Sequence, residues 1–163
     1  MRVFALAAFL CLSSFPCLAA PPPPGCASAT VSQSDQDAIF LQDSGSTNTP
    51  AFCYTVSRSG KVVKRTGTTV VQRSQGRASP SDEQASIPAP LAEKLFADVE
   101  AAMPLSGLPV ARCVKSVSFG TSRYVWFKGK RSPDLCGGGS EKVAALKDEF
   151  AKVMSAASFE HQP

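Results

Sequence analysis

The chain has 163 residues, of which 44% are hydrophobic, and it carries a formal net charge of +4 at pH 7. This length is enough for one domain with a hydrophobic core but not for two. Beyond the N-terminal region, no apolar stretch approaches the roughly 20 residues that a membrane-spanning helix needs. The single histidine, His161, lies close to the end of the chain, which is a poor position for a general base or a metal ligand.

The first twenty residues predict a secretory signal peptide. Arg2 provides a positive start, residues 3–12 form an apolar run, and small residues follow at Ala19-Ala20. Cleavage after Ala19 is expected, because cleavage after Ala20 would place Pro21 beside the scissile bond. We therefore expect a signal peptide at 1–19, a proline-rich and polar linker at 20–37, and a single α+β domain at 38–160. The protein would be secreted or periplasmic.

Four cysteines follow the predicted signal peptide: Cys26, Cys53, Cys113 and Cys136. An even number of cysteines in an exported chain indicates disulfides, because thiols outside the cytoplasm are oxidised by default. Four cysteines allow three connectivities, and we favour Cys26–Cys53 with Cys113–Cys136 because each pair closes a local loop. A structural zinc site is the alternative, but such sites usually contain close C-x-x-C pairs, which this sequence lacks.

Strands dominate the first half of the predicted domain. The apolar run at 38–42 predicts one strand, and the alternation of apolar and small or polar residues at 52–56 predicts a second, half-buried strand. A turn at 58–60, in which Gly60 can adopt a positive φ, leads to a return strand at 61–66. The glycine- and proline-containing residues 67–90 predict a long loop with a short strand at 68–72.

The second half contains helix, hairpin and helix. Apolar residues recur every four positions from Leu91 to Met103, which predicts an amphipathic helix. A second hairpin is expected from a strand at 113–119 and a return strand at 123–128, tied off by the second disulfide. Ser140 can cap a final helix with an apolar face. We therefore predict an α+β fold with two helices on one face of an antiparallel sheet of four or five strands.

Three stretches carry a resemblance to other proteins: Phe-Cys-Tyr-Thr-Val with Gly-Lys-Val in 52–62, Lys-Ser-Val-Ser-Phe-Gly-Thr-Ser at 115–122, and Ser-Pro-Asp-Leu-Cys at 132–136. They resemble uncharacterised exported bacterial domains with the element order strand, hairpin, helix, hairpin, helix. The resemblance covers residues 38–157 and implies the same fold, export and the Cys113–Cys136 bond. It implies no activity, ligand or site residue.

No familiar catalytic arrangement is present in the sequence. The G-x-S-x-G turn and the S-x-x-K pair of serine hydrolases are both missing. An acid–base enzyme would need Asp134 to converge in one cleft with Asp82 or Glu83. The glycines that precede Ser140 could surround a phosphate, but the Walker and dinucleotide-binding patterns are absent, and we favour a flexible connection into a capped helix. We therefore expect no enzyme activity, no cofactor and no metal.

Basic residues are concentrated in two stretches, 54–77 and 112–131, which contain no acidic residue. A sheet covered by helices on one side would then be positive at its hairpins, which suits an anionic partner. If Tyr124, Trp126 and Lys128 shared the open face, they would form a basic aromatic platform for bases or sugars, but alternation equally allows the rings to face the helices. The candidate contacts for an anionic ligand are Arg58, Lys61, Lys64, Arg65, Lys115, Arg123, Tyr124, Trp126, Lys128, Lys130 and Arg131.

The expected function is that of an exported, non-catalytic binding or envelope-associated module whose partner is unknown. An anionic envelope polymer, a lipopolysaccharide or an acidic protein would fit the basic hairpins. The alternative is a small secreted inhibitor, in which a rigid loop pinned by Cys113 and Cys136 blocks a protease or another enzyme. A simpler explanation of the charges is that lysines on edge strands deter association between sheets.

Overall fold

The computed structural model describes Cys26 and residues 37–76, 80–110, 112–116, 118–137 and 139–159. The predicted signal peptide, most of the predicted linker and His161 lie outside the described residues. The described part of the chain has an α+β fold. Its strands are β1 (Ile39–Asp43), β2 (Phe52–Val56), β3 (Lys61–Thr66), β4 (Ser81–Ser86), β5 (Arg123–Phe127), β6 (Lys130–Arg131) and β7 (Ser158–Phe159), and its α-helices are α1 (Val70–Ser74), α2 (Ala89–Ala101) and α3 (Glu141–Ala156).

The strands form one antiparallel sheet in the order β6-β5-β1-β2-β3-β4-β7. The sheet therefore has more strands than the predicted four or five, and the strands at its two edges are each two residues long. The predicted β2–β3 hairpin is confirmed. Gly60 lies in its turn with φ 83°, and a Cβ atom at this position would lie 2.6 Å from the carbonyl oxygen of Ile87. The turn therefore requires glycine, both for its backbone conformation and for its close approach to Ile87.

The hydrophobic core lies between one face of the sheet and the helices α2 and α3. Alternate positions of β1 and β5, such as Leu41 and Val125, join apolar residues of both helices in one buried cluster. The rings of Phe96 in α2 and Phe127 in β5 meet edge to face, with their centroids 5.9 Å apart. Helix α3 begins where predicted, because the hydroxyl of Ser140 accepts a hydrogen bond from the Val143 N–H at 3.3 Å.

Both predicted disulfides are confirmed. The Cα atoms of Cys26 and Cys53 are 5.3 Å apart, and those of Cys113 and Cys136 are 6.0 Å apart. The first bond holds Cys26 against the middle of β2, where both cysteines are buried. The second bond was predicted to close a hairpin. Instead, it joins the irregular segment before β5 to the loop before α3. Two such bonds are typical of a protein outside the reducing cytoplasm.

The prediction for residues 67–90 was wrong in two respects. Residues 70–74 form the short helix α1 rather than a strand, because Thr69 and Gln72 cap it reciprocally. The Gln72 N–H donates to the Thr69 hydroxyl at 3.0 Å, and the Thr69 N–H donates to the Gln72 side chain at 2.9 Å. The polar residues 81–86 form strand β4 rather than loop, because they pair along the whole length of β3.

The predicted strand at 113–119 was also wrong, since its described residues form no strand. The outer edge of β5, where such a strand would pair, is occupied by residues 132–135. Ser132 and Leu135 donate their N–H groups to the carbonyls of Val125 and Arg123 at 2.8 and 2.9 Å. The Ser132 hydroxyl also accepts from the Val125 N–H at 2.9 Å. No backbone positions therefore remain there for 113–119 to pair with.

Candidate functional site

The rings of Tyr124 and Trp126 lie on the face of the sheet opposite α2 and α3, which is buried at the central strands β2 and β3 and half-exposed at β5. Alternation along β5 turns the neighbouring Val125 and Phe127 into the core, where both are fully buried. Tyr124 and Trp126 are half-buried by comparison. Arg131 of β6 pairs directly with Trp126 and therefore shares its face. Of the platform considered from the sequence, Tyr124 and Trp126 share this face, but Lys128 Nζ lies 4.9 Å from the ring centroid of the core-facing Phe127, and Arg131 takes its place beside the two rings.

We call Tyr124, Trp126 and Arg131 the aromatic–arginine cluster. The Arg131 guanidinium carbon lies 4.8 Å from the ring centroid of Tyr124 and 5.5 Å from that of Trp126. Both distances are within the range of cation–π attraction. The Trp126 indole N–H donates to the side-chain oxygen of Gln42 on β1 at 2.9 Å, which fixes the orientation of the ring. The cluster is therefore held in place by contacts with two neighbouring strands.

A tight turn presents further positive charge on the other side of the same hairpin, where Lys128 and Lys130 lie on the side of Phe127. Phe127 pairs with Lys130, so the two-residue loop is Lys128-Gly129, and its φ angles of 48° and 70° are both positive. Such a turn matches the natural twist of the two strands. Lys128 and Lys130 are exposed. None of the ion pairs among the described residues involves Lys128, Lys130 or Arg131.

Strand β4 neutralises two other candidate cations. Lys64 of β3 pairs with Glu83 at 3.1 Å, and Arg65 pairs with Asp82 at 3.3 Å, because each cation lies directly opposite its acid in the β3–β4 ladder. Lys61, at the start of β3, is exposed and forms no ion pair with a described residue. The positive charge predicted for the β2–β3 hairpin is therefore largely balanced by Asp82 and Glu83, which lie in the segment that we predicted to be a loop.

Three further candidates form internal ion pairs as well. Arg58 pairs with Glu100 of α2, and its guanidinium carbon lies 4.3 Å from the ring centroid of Phe96. Lys115 and Arg123 belong to a polar network at the opposite end of the sheet from the β5–β6 turn, described next. The candidate cations that form no ion pair with a described residue are Lys61, Lys128, Lys130 and Arg131.

The polar network joins the loop after β1 to the segment before β5. Asp43 is buried and accepts hydrogen bonds from the Thr121 hydroxyl at 2.9 Å and the Arg123 guanidinium at 3.2 Å. Asp134 pairs with Lys115. Burial alone would raise the pKa of the Asp134 carboxyl, but hydrogen bonds from Lys115, Ser122 and the Arg123 N–H outweigh it and hold this pKa below its ordinary value. The carboxylates of Asp43 and Asp134 therefore stabilise the segment before β5.

The loop held by this network exposes apolar side chains. We call the described residues 112–116 and 118–122 the pinned loop, because the Cys113–Cys136 bond holds one end and hydrogen bonds hold the rest. The Ser118 carbonyl accepts from the Ser46 hydroxyl at 2.7 Å, and the Gly120 N–H donates to the Ser116 carbonyl at 2.7 Å. Phe119 is nevertheless 68% exposed, and Val114 is fully exposed. This loop is a second candidate surface, at the opposite end of the sheet from Lys128.

The carboxylates of the enzyme hypothesis do not converge. Asp134 contacts the start of β5, whereas Asp82 and Glu83 lie on β4, four strands away in the sheet. Glu149, a buried carboxylate of α3, is paired with Lys152 at 2.8 Å and with Lys94 at 3.5 Å. Across the described ranges, no group of three His, Cys, Asp or Glu side chains is arranged to hold a metal ion.

The helices of the described residues include none that is long and apolar enough to cross a membrane. The resemblance to exported bacterial domains stays a prediction, as do the signal peptide and the absence of catalysis. No protein-family model, no curated protein and no solved structure matches this chain, so the argument for its function depends on the geometry of the two surfaces.

Proposed function

We propose that this protein is an exported, non-catalytic module that binds an anionic polymer through its β5–β6 hairpin. The observation that carries this proposal is a group of three cations on one hairpin, Lys128, Lys130 and Arg131, which have no acidic partner among the described residues. Arg131 lies against the rings of Tyr124 and Trp126, whereas Lys128 and Lys130 lie on the Phe127 side of the same hairpin. Unpaired surface cations attract a polyanion and release its counterions on binding. The internal ion pairs of the other candidates support a site at this hairpin rather than over the whole sheet.

Binding through this hairpin predicts a specific loss when its lysines are neutralised. The double variant Lys128→Gln/Lys130→Gln should elute from a dextran sulfate resin at clearly lower salt than the wild-type protein. The matched control is Lys142→Gln/Lys147→Gln, which removes the same charge from two exposed positions of α3. This control should elute close to the wild type, because those lysines lie on the helical layer rather than at the hairpin.

The comparison separates a localised site from a general effect of net charge. If both double variants elute at the same salt, the retention reflects net charge alone and the proposal fails. The edge-strand explanation makes a different prediction, because lysines that only deter sheet association would leave polyanion binding unchanged and would instead increase self-association when neutralised. Sedimentation of the Lys128→Gln/Lys130→Gln variant at increasing concentration distinguishes that outcome.

The pinned loop supports a second candidate function, that of an enzyme inhibitor. Its exposed Phe119 and Val114 are held by a disulfide and by backbone hydrogen bonds, so little conformational entropy would be lost when the loop enters a pocket. Large apolar side chains with full exposure cost free energy in water and often mark contacts with another protein. An aromatic anchor on a rigid loop is typical of the residues that dominate such interfaces.

An inhibitor should reduce the activity of its target protease at equimolar concentration. We expect Phe119→Ala to weaken this inhibition by about 30-fold or more, because anchor residues at interfaces contribute about 2 kcal/mol or more. The control is Val71→Ala, which removes an exposed apolar side chain from α1. A panel of serine, cysteine and metalloproteases that all keep full activity, or inhibition that Phe119→Ala leaves intact, would rule out this second function.

A further inference from the structure

We propose that the aromatic–arginine cluster is a subsite for a carboxylate-bearing sugar unit of an acidic polysaccharide. This inference rests on the proposed function, since the same hairpin supplies the attraction for an anionic polymer. It goes further by assigning the chemical class of the ligand and the residue that recognises it. Arg131 would bind the carboxylate, and the rings of Tyr124 and Trp126 would contact the sugar.

The position of Arg131 suits a planar oxyanion. Its guanidinium lies over two ring faces, and it forms no ion pair with any described residue. Arg131 is exposed, and a guanidinium carries five N–H donors, so those that do not face the rings can bind a ligand. Guanidinium edges match carboxylates in two parallel hydrogen bonds, which an ammonium group cannot reproduce. The stacking also reduces the side-chain freedom that binding would otherwise remove.

The rings beside Arg131 suit a chain of sugar units. Tyr124 and Trp126 are two positions apart on one strand, so their attachment points are separated by about 7 Å on one face of β5. The Gln42 side chain fixes the indole of Trp126 from the other side. Sugar rings combine apolar C–H faces with hydroxyl edges, and they therefore pack on aromatic side chains that stand among polar groups.

The ion pair of Arg65 on the same face of the sheet argues against a nucleic acid. A phosphodiester chain carries one charge per nucleotide, so it gains affinity from a track of unpaired cations. Arg65, which lies on the same face farther along the sheet, is paired with Asp82. Such a pair offers no net charge to a polyanion that extends away from the hairpin. An acidic polysaccharide in which carboxylate-bearing units alternate with neutral units needs only one oxyanion contact beside the aromatic rings, and it fits this distribution better.

The chain's single tryptophan is Trp126, so selectively excited tryptophan fluorescence reports on this subsite alone. We would titrate the oxidised protein with oligogalacturonate, with the same oligomer fully methyl-esterified, and with single-stranded DNA of similar length. Oligogalacturonate should produce a saturable change in emission, and the uncharged ester should produce none. Arg131→Lys, which keeps the charge but lacks the planar fork, should bind oligogalacturonate about tenfold or more weakly. The Lys142→Gln/Lys147→Gln control should bind like the wild type.

Each result has a separate meaning for the two proposals. Equal binding of the ester, or wild-type affinity of Arg131→Lys, would overturn the carboxylate subsite. Binding of DNA but not oligogalacturonate, lost in Lys128→Gln/Lys130→Gln, would overturn the sugar ligand and leave the anionic-polymer function standing. No binding of either polymer, together with no salt-dependent retention on dextran sulfate, would overturn both.

Discussion

Replacement of both Cys26 and Cys53 with alanine should lower the free energy of unfolding by about 3 kcal/mol, the loss expected when a disulfide across a loop of this size is removed. The two cysteines are 27 positions apart, and without their bond the unfolded chain gains conformational freedom. Both side chains are also buried at the middle of the sheet, so their packing adds to the loss. Urea unfolding of the oxidised proteins at neutral pH, followed by circular dichroism, measures the difference.

The second disulfide provides a matched control for this result. Cys113 and Cys136 are 23 positions apart, so chain entropy predicts nearly the same loss for their double alanine variant. Cys113 and Cys136 are only half-buried. A larger loss for the Cys26/Cys53 variant would therefore measure the contribution of burial. A loss well under 1 kcal/mol in the Cys26/Cys53 variant would contradict the view that this bond stabilises the fold.

The substitution Phe127→Ala should lower the free energy of unfolding by about 3–5 kcal/mol, because it removes a fully buried ring and leaves a cavity against Phe96. A natural control lies in the same chain. Phe119 is 68% exposed, and Phe119→Ala should change the stability by no more than about 0.5 kcal/mol. Urea unfolding of both variants under identical conditions tests the contrast.

Phe127→Ala can leave a domain of this size partly unfolded, since small domains are stable by only about 5–15 kcal/mol. Phe127→Leu, which keeps most of the buried volume, should then cost less and allow a full unfolding curve. Equal effects of Phe127→Ala and Phe119→Ala would mean that Phe127 does not anchor β5 to the helical layer. Such a result would also remove the basis for a rigid hairpin, because Phe127 is the last residue before its turn.

The sequence allowed the prediction of the elements that have an apolar periodicity. The helix at 91–103 was found as α2, two residues earlier at each end, and the capped helix after Ser140 was found as α3. Strand β4 was missed because Ser81–Ser86 contains almost no apolar residue, and only its pairing with β3 makes it a strand. The Thr69-Val70-Val71-Gln72 capping box was visible in the sequence and would have indicated the helix that replaced the predicted strand.

The same missed strand limited the prediction of the site. With β4 read as loop, Asp82 and Glu83 had no assigned neighbours, so Lys64 and Arg65 counted as unpaired charges. Alternation in β5 left two choices for Tyr124 and Trp126, and the burial of Val125 and Phe127 decides between them. Arg131 had no predictable partner, because its contact with both rings depends on a two-residue turn whose Lys-Gly sequence is not one of the strongest turn signals.

The pairing of β5 with β1 also has a consequence for the order in which the chain folds. Gln42 and Trp126, which are joined by a hydrogen bond across these strands, are 84 positions apart. Contacts between such distant residues form slowly, because the entropy of the intervening chain must be lost first. Strands β1 to β4 can pair between neighbours, but β1 keeps an open edge until β5 reaches it. Since Gln42 orients the Trp126 ring across this long-range pairing, the aromatic–arginine cluster would reach its final geometry, and ligand binding would begin, only in molecules that have finished folding.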